Sequence, residues 1–213
     1  MAGLNAQDAR IFRITHRDNV PWLLEHGLHC KNSKTRDPNF VSIGSAELIE
    51  KRTHRKVPLE PHGTLADYVP FYFTPFSIMM YNIYTGYQGV TKRPNEEIVI
   101  LACSVPRLAE LDIPFVFYDG HAYMIESTCY NTVADLDKID WKILRNRDFQ
   151  NDPDDPGKKG RYQAEALVHQ HLPAVALLGI GCYNQEQANQ VVTTVTAHGL
   201  KLPVRAVPTW YFS

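Results

Sequence analysis

The sequence has few cysteines, and none of them forms the close pairs that structural metal sites and disulfide frameworks use. Its four cysteines are widely spaced, without a CxxC pair, so we expect no zinc site and no disulfide, as in proteins of a reducing compartment. No stretch is apolar over the length that crosses a bilayer, and the first residues lack the apolar run of a signal peptide. We therefore expect a cytoplasmic protein that does not bind membranes.

The sequence also lacks an excess of charge of either sign. It has 22 lysines and arginines against 23 aspartates and glutamates, a formal net charge of -1. A protein that grips long duplex DNA is usually more basic, so any contact with nucleic acid must come from a local patch. Common catalytic signatures are missing as well, including a glycine-rich phosphate loop, HExxH and GxSxG. Since the nine histidines are scattered, we expect no metal.

What the chain does contain is an irregular mixture of strand-like and helix-like segments. Its 213 residues, 44% of them hydrophobic, suffice for one compact domain over residues 1–213. Apolar patterning predicts strands at 11–15, 68–74, 97–104, 113–118, 175–183 and 204–212, and helices at 20–24, 46–55, 77–84, 135–145 and 185–198, whereas 161–171 fits either. Residues 120–159 form a long polar excursion, a feature that is usually functional. Because strands and helices do not alternate regularly, the prediction is an α+β fold.

Four polar residues stand where they could carry chemistry. His16 follows the first predicted strand, and Arg52 lies in the basic run 51–56. Tyr72 lies within an aromatic strand, and Glu165 is flanked by small and apolar residues. Each has an ordinary explanation when taken alone, because a single glutamate is usually solvated and a basic run is usually an exposed helix face. Their pattern alone therefore assigns no function.

Five motifs in order give the chain a resemblance to a known family. The segments IFRITHRDN, EKRTHRKVP, DYVPFYFTPFSIMMYNI, PFVFYDGHA and RYQAEALV follow one another between Ile11 and the C-terminal Trp210-Tyr211-Phe212. In this order they resemble the DarT family of DNA ADP-ribosyltransferase toxins, from bacterial toxin–antitoxin systems. The resemblance implies an ADP-ribosyltransferase fold with split mixed β-sheets, flanking helices and an NAD cleft. It also implies sequence-dependent transfer of ADP-ribose from NAD to thymine in single-stranded DNA, and a macrodomain antitoxin partner that reverses the modification.

The resemblance assigns catalysis to Glu165 and Arg52, and NAD binding to the first strand and its surroundings. The predicted NAD site comprises Arg13, Ile14, Thr15, His16, Trp22, Cys30, Arg52 and Tyr72. The predicted contacts with DNA are made by Lys51, Arg55 and Lys56 on the basic run, and by Tyr118, His121 and Tyr123 on the long excursion, which is the substrate-recognition loop of the family. Basic grooves with aromatic side chains are typical of single-strand binding. Many members have histidine at position 13 and arginine at position 76, where this chain has Arg13 and Phe76.

The departure of nicotinamide explains why such an enzyme needs a carboxylate. The ribose acquires positive charge in an oxocarbenium-like transition state, and a carboxylate beside it, here Glu165, stabilises that state more than the ground state. The family assigns Arg52 the role of accepting the thymine N3 proton, although an arginine stays protonated at neutral pH. Arg52 has two other possible roles, namely stabilising a thymine anion or pairing with the NAD pyrophosphate.

Three other functions remain open from the residues. The first is NAD-dependent transfer to another acceptor, namely guanine, RNA or protein, which the same glutamate chemistry would serve. The second is hydrolysis of NAD alone. The third is single-strand binding without catalysis, against which the near-neutral charge and the small-residue context of Glu165 both weigh.

Overall fold

The strands of the computed structural model, which describes residues 4–213, build one large sheet and one small one. The strands are β1 (Arg10–His16), β2 (Leu28–His29), β3 (Tyr68–Tyr72), β4 (Ile98–Ser104), β5 (Phe115–Tyr118), β6 (Cys129–Tyr130), β7 (Glu165–His169), β8 (His171–Leu172), β9 (Gly179–Cys182) and β10 (Val204–Ala206). The large sheet has the order β10-β9-β4-β1-β3-β7-β5-β6, and β2 pairs with β8. Since β9 and β10 are parallel and the other pairs are antiparallel, the large sheet is mixed.

Seven α-helices lie in the described residues, most of them short. They are α1 (Val20–His26), α2 (Ala46–Lys51), α3 (Ile78–Thr85), α4 (Val105–Glu110), α5 (Trp141–Asn146), α6 (Lys158–Arg161) and α7 (Gln185–Ala197). The starts of α2, α3 and α7 are fixed by Ser45, Ser77 and Asn184, whose side chains accept a backbone N–H of the first turn. None of the helices in residues 4–213 is long and apolar enough to cross a membrane.

The large sheet is split between β1 and β3. Along β1, seven residue pairs join it to β4, but Phe12↔Tyr72 is the one pair that joins it to β3. Pro70 has no N–H to offer to a neighbouring strand, and its carbonyl instead accepts a hydrogen bond from Arg13 Nη1 at 3.0 Å. A side chain therefore replaces the backbone ladder at this point, and the two halves of the sheet diverge.

The core follows the apolar strands that the sequence predicts. β4 is the most apolar of them and is buried along nearly its whole length, between β1 and β9. β7 is buried from Glu165 to Val168 and lies between β3 and β5. Glu165 is therefore the one acidic residue in a run that otherwise packs as core, and its position there requires a compensating partner.

Several predicted boundaries are wrong. The closing strand predicted at 204–212 ends at Ala206, because Pro208–Trp210 forms a 3-10 turn. The predicted helix 46–55 ends at Lys51 and continues as the 3-10 turn Arg52–His54. The helix predicted at 135–145 is divided into the 3-10 turn Val133–Lys138 and α5. The segment 161–171, whose pattern fits a strand or a helix, contains the last residue of α6, all of β7 and the first residue of β8. The strand predicted at 175–183 begins only at Gly179.

Candidate active site

Two adjoining cavities lie where the two halves of the sheet part. The larger has a volume of about 680 Å³ and the smaller about 350 Å³. Arg13 and Arg52 line both cavities, so two cations stand at their junction. Glu165 lines only the larger cavity, whereas Trp22 and Cys30 line only the smaller one.

The carboxylate of Glu165 accepts hydrogen bonds from two sides. Glu165 is the first residue of β7, opposite Tyr72 on β3, and only 1% of its surface is exposed. Its Oε2 accepts a hydrogen bond from Arg52 Nη1 at 2.9 Å. Its Oε1 accepts the backbone N–H of Ala122 at 3.2 Å and lies 3.4 Å from Nδ1 of His121. The hydrogen bonds from Arg52 and Ala122 fix the carboxylate in one orientation.

Arg52 reaches Glu165 from the turn that follows α2. The change from α-helix to 3-10 turn at this residue directs the side chain inward, and it is buried. Nη1 binds Glu165, but Nη2 is buried and has no hydrogen-bond partner within residues 4–213. An unpaired buried donor is costly unless a ligand satisfies it, so Nη2 would gain a partner if an acceptor atom reached it from the cavity that Arg52 lines.

Burial shifts the pKa values of two ionisable groups beside this pair, Tyr72 and Arg13. Burial, together with the neighbouring charge of Glu165, raises the pKa of Tyr72 well above its usual value, so its phenol stays neutral. The Tyr72 hydroxyl donates to Sδ of Met79 at 3.6 Å. Burial lowers the pKa of Arg13 to about 10, with the cation of Arg52 adding to the effect. Arg13 therefore remains cationic at neutral pH.

The smaller cavity has a more apolar character. Leu23, Leu28 and Ile49 line it, and Trp22 closes one side. The indole of Trp22 stacks on His26, with ring centroids 4.5 Å apart. Burial raises the pKa of the Cys30 thiol. This cavity therefore offers aromatic and aliphatic surface and a neutral thiol, with the charged residues Lys31, Arg36 and Asp37 also in its lining.

The structure brings most of the predicted site residues to these two cavities. The larger cavity is lined by Arg13, Ile14, Thr15, Lys51, Arg52, Tyr72, His121, Tyr123 and Glu165. Trp22 and Cys30 line the smaller one. Arg55 does not line either cavity, but its Nη2 donates to the carbonyl of Met124, whose side chain lines the larger one. Lys56 is exposed outside both cavities, and its contact with DNA stays a prediction.

Two of the predicted residues need correction. Tyr118 is only 2% exposed and packs in a second apolar cluster with Val57 and Leu65, so its ring is not presented to DNA. His16 lines neither cavity. Its Nδ1 accepts the backbone N–H of Asp18 at 3.2 Å, and its Nε2 lies 3.4 Å from Glu97. The side chain of His16 therefore supports the turn after β1 and does not reach either cavity.

Sequence reasoning missed other residues of the larger cavity. Met79 and Asn82 on α3 line it, as do Lys159 and Gln163 on the approach to β7. Asn82 was detectable from the sequence, because it is a polar residue inside an otherwise apolar helix. The structure then shows its side-chain oxygen buried with no partner among residues 4–213. The backbone contact of Ala122 carries no sequence signal at all.

Comparison with known proteins identifies the family. The family model of the single-stranded DNA thymidine ADP-ribosyltransferases, DarT, matches residues 12–212. A DNA ADP-ribosyl transferase of Escherichia coli O127:H6 is 51% identical over 212 residues, covering 100% of this chain and 97% of that protein. The chain belongs to the DarT family. The predicted family and enzyme class are therefore confirmed.

Solved structures confirm the fold as well. Thermus sp. 2.9 DarT in complex with ADP-ribosylated ssDNA matches with a TM-score of 0.86 and 30% identity, covering 97% of each chain. The complex of that DarT with NAD+ matches with a TM-score of 0.83, at 30% identity, over 97% of this chain and 98% of that one. A more distant DarT relative, from Thermosipho africanus, is a fusion of a DNA ADP-ribosyl transferase with a DNA ADP-ribosyl glycohydrolase. It is 25% identical over 203 residues, covering 95% of this chain and 49% of that protein.

One of the two departures from the DarT pattern has a structural explanation. Phe76 stacks on Phe212 with ring centroids 3.8 Å apart, and the guanidinium of Arg147 lies 4.3 Å above the Phe76 ring. Phe76 lines neither cavity. It thus fastens the C-terminal segment to the body of the protein, and its side chain is not available to a ligand.

Proposed function

We propose that the protein transfers ADP-ribose from NAD to a thymidine base of single-stranded DNA, with the reacting groups in the larger cavity. The observation that supports this most strongly is the buried Arg52–Glu165 pair, which places a fixed carboxylate and an unpaired guanidinium nitrogen in one cleft. Arg93, which binds Glu97 outside the cavities, also has a buried nitrogen without a partner in the described residues, so an open donor alone does not mark a site. The Arg52–Glu165 pair differs because both of its residues line the larger cavity.

The cavities fit a dinucleotide as a co-substrate. Arg13 and Arg52 stand at their junction, where two cations suit a diphosphate. Glu165 on one side would lie beside the nicotinamide ribose, and Trp22 on the other side offers a ring to the adenosine end. NAD would supply the ADP-ribosyl group, with positive charge developing on its ribose as nicotinamide leaves.

Glu165 would stabilise that developing charge. Its carboxylate is already oriented by Arg52 and Ala122, so little reorganisation is needed as the charge forms. Preorganised groups of this kind act more strongly on the transition state than on the ground state. The same carboxylate would accept a hydrogen bond from a ribose hydroxyl.

Arg52 would act on the acceptor base. Its Nη2 can donate to a thymine carbonyl oxygen and so stabilise the negative charge that builds up on the ring as the N3 proton passes to solvent and N3 bonds to the ribose carbon that nicotinamide leaves. This role needs a guanidinium that stays charged, which agrees with the ordinary behaviour of arginine. A direct proton-accepting role for Arg52 would require the neutral form.

Single-stranded DNA would enter past the basic run and the long excursion. Lys51, His121 and Tyr123 line the larger cavity, and Arg55 and Lys56 follow Lys51 along the chain. Cations that neutralise phosphates make affinity fall steeply with salt, so we expect binding of an oligonucleotide to weaken strongly between 50 and 200 mM salt. A salt-independent affinity would contradict this groove.

We further infer that the chain is the toxin of a toxin–antitoxin pair and acts in the cytoplasm, where DNA and NAD are both present. The Thermosipho africanus relative joins a transferase to a glycohydrolase in one protein. Here we expect a separate macrodomain glycohydrolase to reverse the modification. Mixing the modified DNA with that partner and measuring release of ADP-ribose tests this.

The acceptor can be decided in one experiment. The protein is incubated with NAD labelled in the adenosine moiety and with separate pools of single-stranded DNA, RNA and protein, or with no acceptor. We expect label in the DNA pool alone. Label in RNA or protein would favour those acceptors, free ADP-ribose without acceptor would favour an NAD hydrolase, and DNA binding without consumption of NAD would favour a binding module.

A further inference from the structure

Two adjacent apolar side chains project into solvent beside the larger cavity. Met124 is 49% exposed and Ile125 is 80% exposed, the largest exposure among the bulky apolar residues described. Both lie at the tip of residues 119–128, which we name the tip loop. Met124 also lines the larger cavity. Neighbouring exposed apolar residues at the edge of a cleft often mark a contact surface.

The tip loop is held in one shape, so this exposure does not reflect a loose segment. The side chain of Asp119 accepts the N–H of Thr128 at 2.8 Å, which closes the base of the loop. The hydroxyl of Ser127 donates to the carbonyl of His121 at 2.9 Å. A Cβ at Gly120 would lie 2.7 Å from the oxygen of Ser127 and 3.1 Å from the carbonyl of Gly160, so the loop is packed tightly against the body.

One further contact ties the tip loop to Glu165, and another ties it to the basic run 51–56. Ala122 donates its N–H to Glu165, only two residues before Met124. Arg55 donates to the carbonyl of Met124 at 3.3 Å, so a cation lies directly under the apolar tip. The tip is therefore at a fixed place relative to the carboxylate, with positive charge beside it.

We propose that Met124 and Ile125 form an apolar wedge that packs against the base next to the target thymidine. This inference rests on the proposed function. A base that undergoes chemistry must leave its stack, and apolar side chains inserted at a base step can take over the lost stacking. The wedge would hold the neighbouring base while the target enters the larger cavity, and Arg55 and Lys51 would face the intervening phosphates.

A nucleic acid suits this tip better than a protein partner does. The apolar surface is two residues wide, whereas a protein interface has a broad core with a polar rim. It is continuous with the catalytic cavity, and the cations near it, Arg55 and Lys51, match a phosphate backbone. A base has a flat apolar face of the size that one or two side chains cover.

The test compares Ile125→Ser with Val175→Ser. Val175 is 67% exposed and lines neither cavity, so it is a matched control for loss of an exposed apolar side chain. The affinity for a thymidine-containing oligonucleotide is measured in the absence of NAD. We expect Ile125→Ser to weaken it about tenfold, the order expected when one aliphatic side chain is no longer buried, and Val175→Ser and Ile125→Leu to leave it within twofold of the parent.

A second readout locates the contact. 2-Aminopurine, whose emission reports stacking, is placed directly 5′ or directly 3′ of the target thymidine. One of the two positions should change its emission on binding the parent protein and lose that change with Ile125→Ser, while NAD affinity stays unchanged. Equal oligonucleotide affinity for the parent and Ile125→Ser would overturn the wedge, even if the variant lost binding to a protein partner. Because the readouts need no transfer, failure of the proposed reaction would be seen separately, as absence of labelled DNA with the parent.

Discussion

The two cavities differ in what their walls can do, although they share Arg13 and Arg52. The larger one contains a buried carboxylate, a neutral phenol and polar side chains from α3 and the approach to β7. The smaller one contains a tryptophan, a cysteine and aliphatic side chains, together with the charged residues Lys31, Arg36 and Asp37. What distinguishes the larger cavity is therefore the buried, hydrogen-bonded carboxylate of Glu165.

The difference has its origin in the split of the sheet. Pro70 interrupts the ladder between β1 and β3, and Arg13 replaces it with a side-chain contact. The strand that follows the split on one side presents Tyr72 opposite Glu165. We infer that catalysis takes place in the larger cavity beside this interruption in the backbone ladder and that the smaller cavity contributes binding. The predictions below separate the two.

The largest effect is expected at Glu165. The variant Glu165→Gln keeps the size of the side chain and an acceptor for Ala122 but loses the negative charge. We expect the rate of nicotinamide release to fall on the order of 10²–10³-fold, as for removal of one preorganised electrostatic group, with NAD affinity changed little. Steady-state release in the presence of oligonucleotide measures this.

The matched control is Glu97→Gln, which alters a glutamate that binds Arg93 and His16 outside the cavities. It should retain the parental rate. Retention of more than about a tenth of the parental rate by Glu165→Gln would remove the special role of this carboxylate.

Arg52→Lys should have the next largest effect. A lysine keeps the charge but cannot bind Glu165 and also donate to a base with the fixed fork of a guanidinium. We expect kcat/KM for the oligonucleotide to fall on the order of 10–10²-fold. Near-parental activity with an unchanged pH profile would show that any cation suffices at position 52.

Trp22→Ala should affect binding without affecting chemistry. Loss of an aromatic contact in the smaller cavity should raise KM for NAD about tenfold and leave kcat near the parental value, the signature of uniform binding. Trp22→Phe should restore most of the affinity. A fall in kcat with unchanged KM would mean that the two cavities are not separated in this way.

The smallest effect concerns the thiol of Cys30. Because burial raises its pKa, the thiolate fraction near pH 8 should be lower than for an ordinary cysteine, and alkylation should be slow and should accelerate as the pH rises further. Saturating NAD should slow it again by occupying the smaller cavity. Peptide mass spectrometry measures this, with Cys129, which lines neither cavity, as the internal control. Equal protection of both cysteines would contradict occupancy of that cavity.

Local patterning predicted most of the strands because each is a short apolar run. β1, β4 and β5 lie within two residues of their predicted bounds. The predicted closing strand 204–212 was too long. The segment is apolar throughout, but Pro208 starts a 3-10 turn and the strand ends before it. Apolar composition thus indicates which segments are buried, whereas a single proline can determine where a strand ends.

The site depended on information that local patterning does not contain. Arg52 and Glu165 are 113 positions apart in the chain, and only the family resemblance joined them before the structure did. The error at Tyr118 has a physical cause, since an aromatic run does not tell which ring faces the core. Tyr118 on β5 is paired with Glu165 on β7, so its backbone lies beside the site. Its side chain, however, is buried in the core.

The most direct test of the central claim is tandem mass spectrometry of an oligonucleotide that contains a single thymidine, after incubation with NAD. We expect the parent to add one ADP-ribose group to the thymine base, and Glu165→Gln to bind the same oligonucleotide without modifying it. A matched oligonucleotide with deoxycytidine at that position should remain unmodified. Modification of the deoxycytidine strand, or undiminished modification by Glu165→Gln, would contradict transfer to thymidine by this carboxylate.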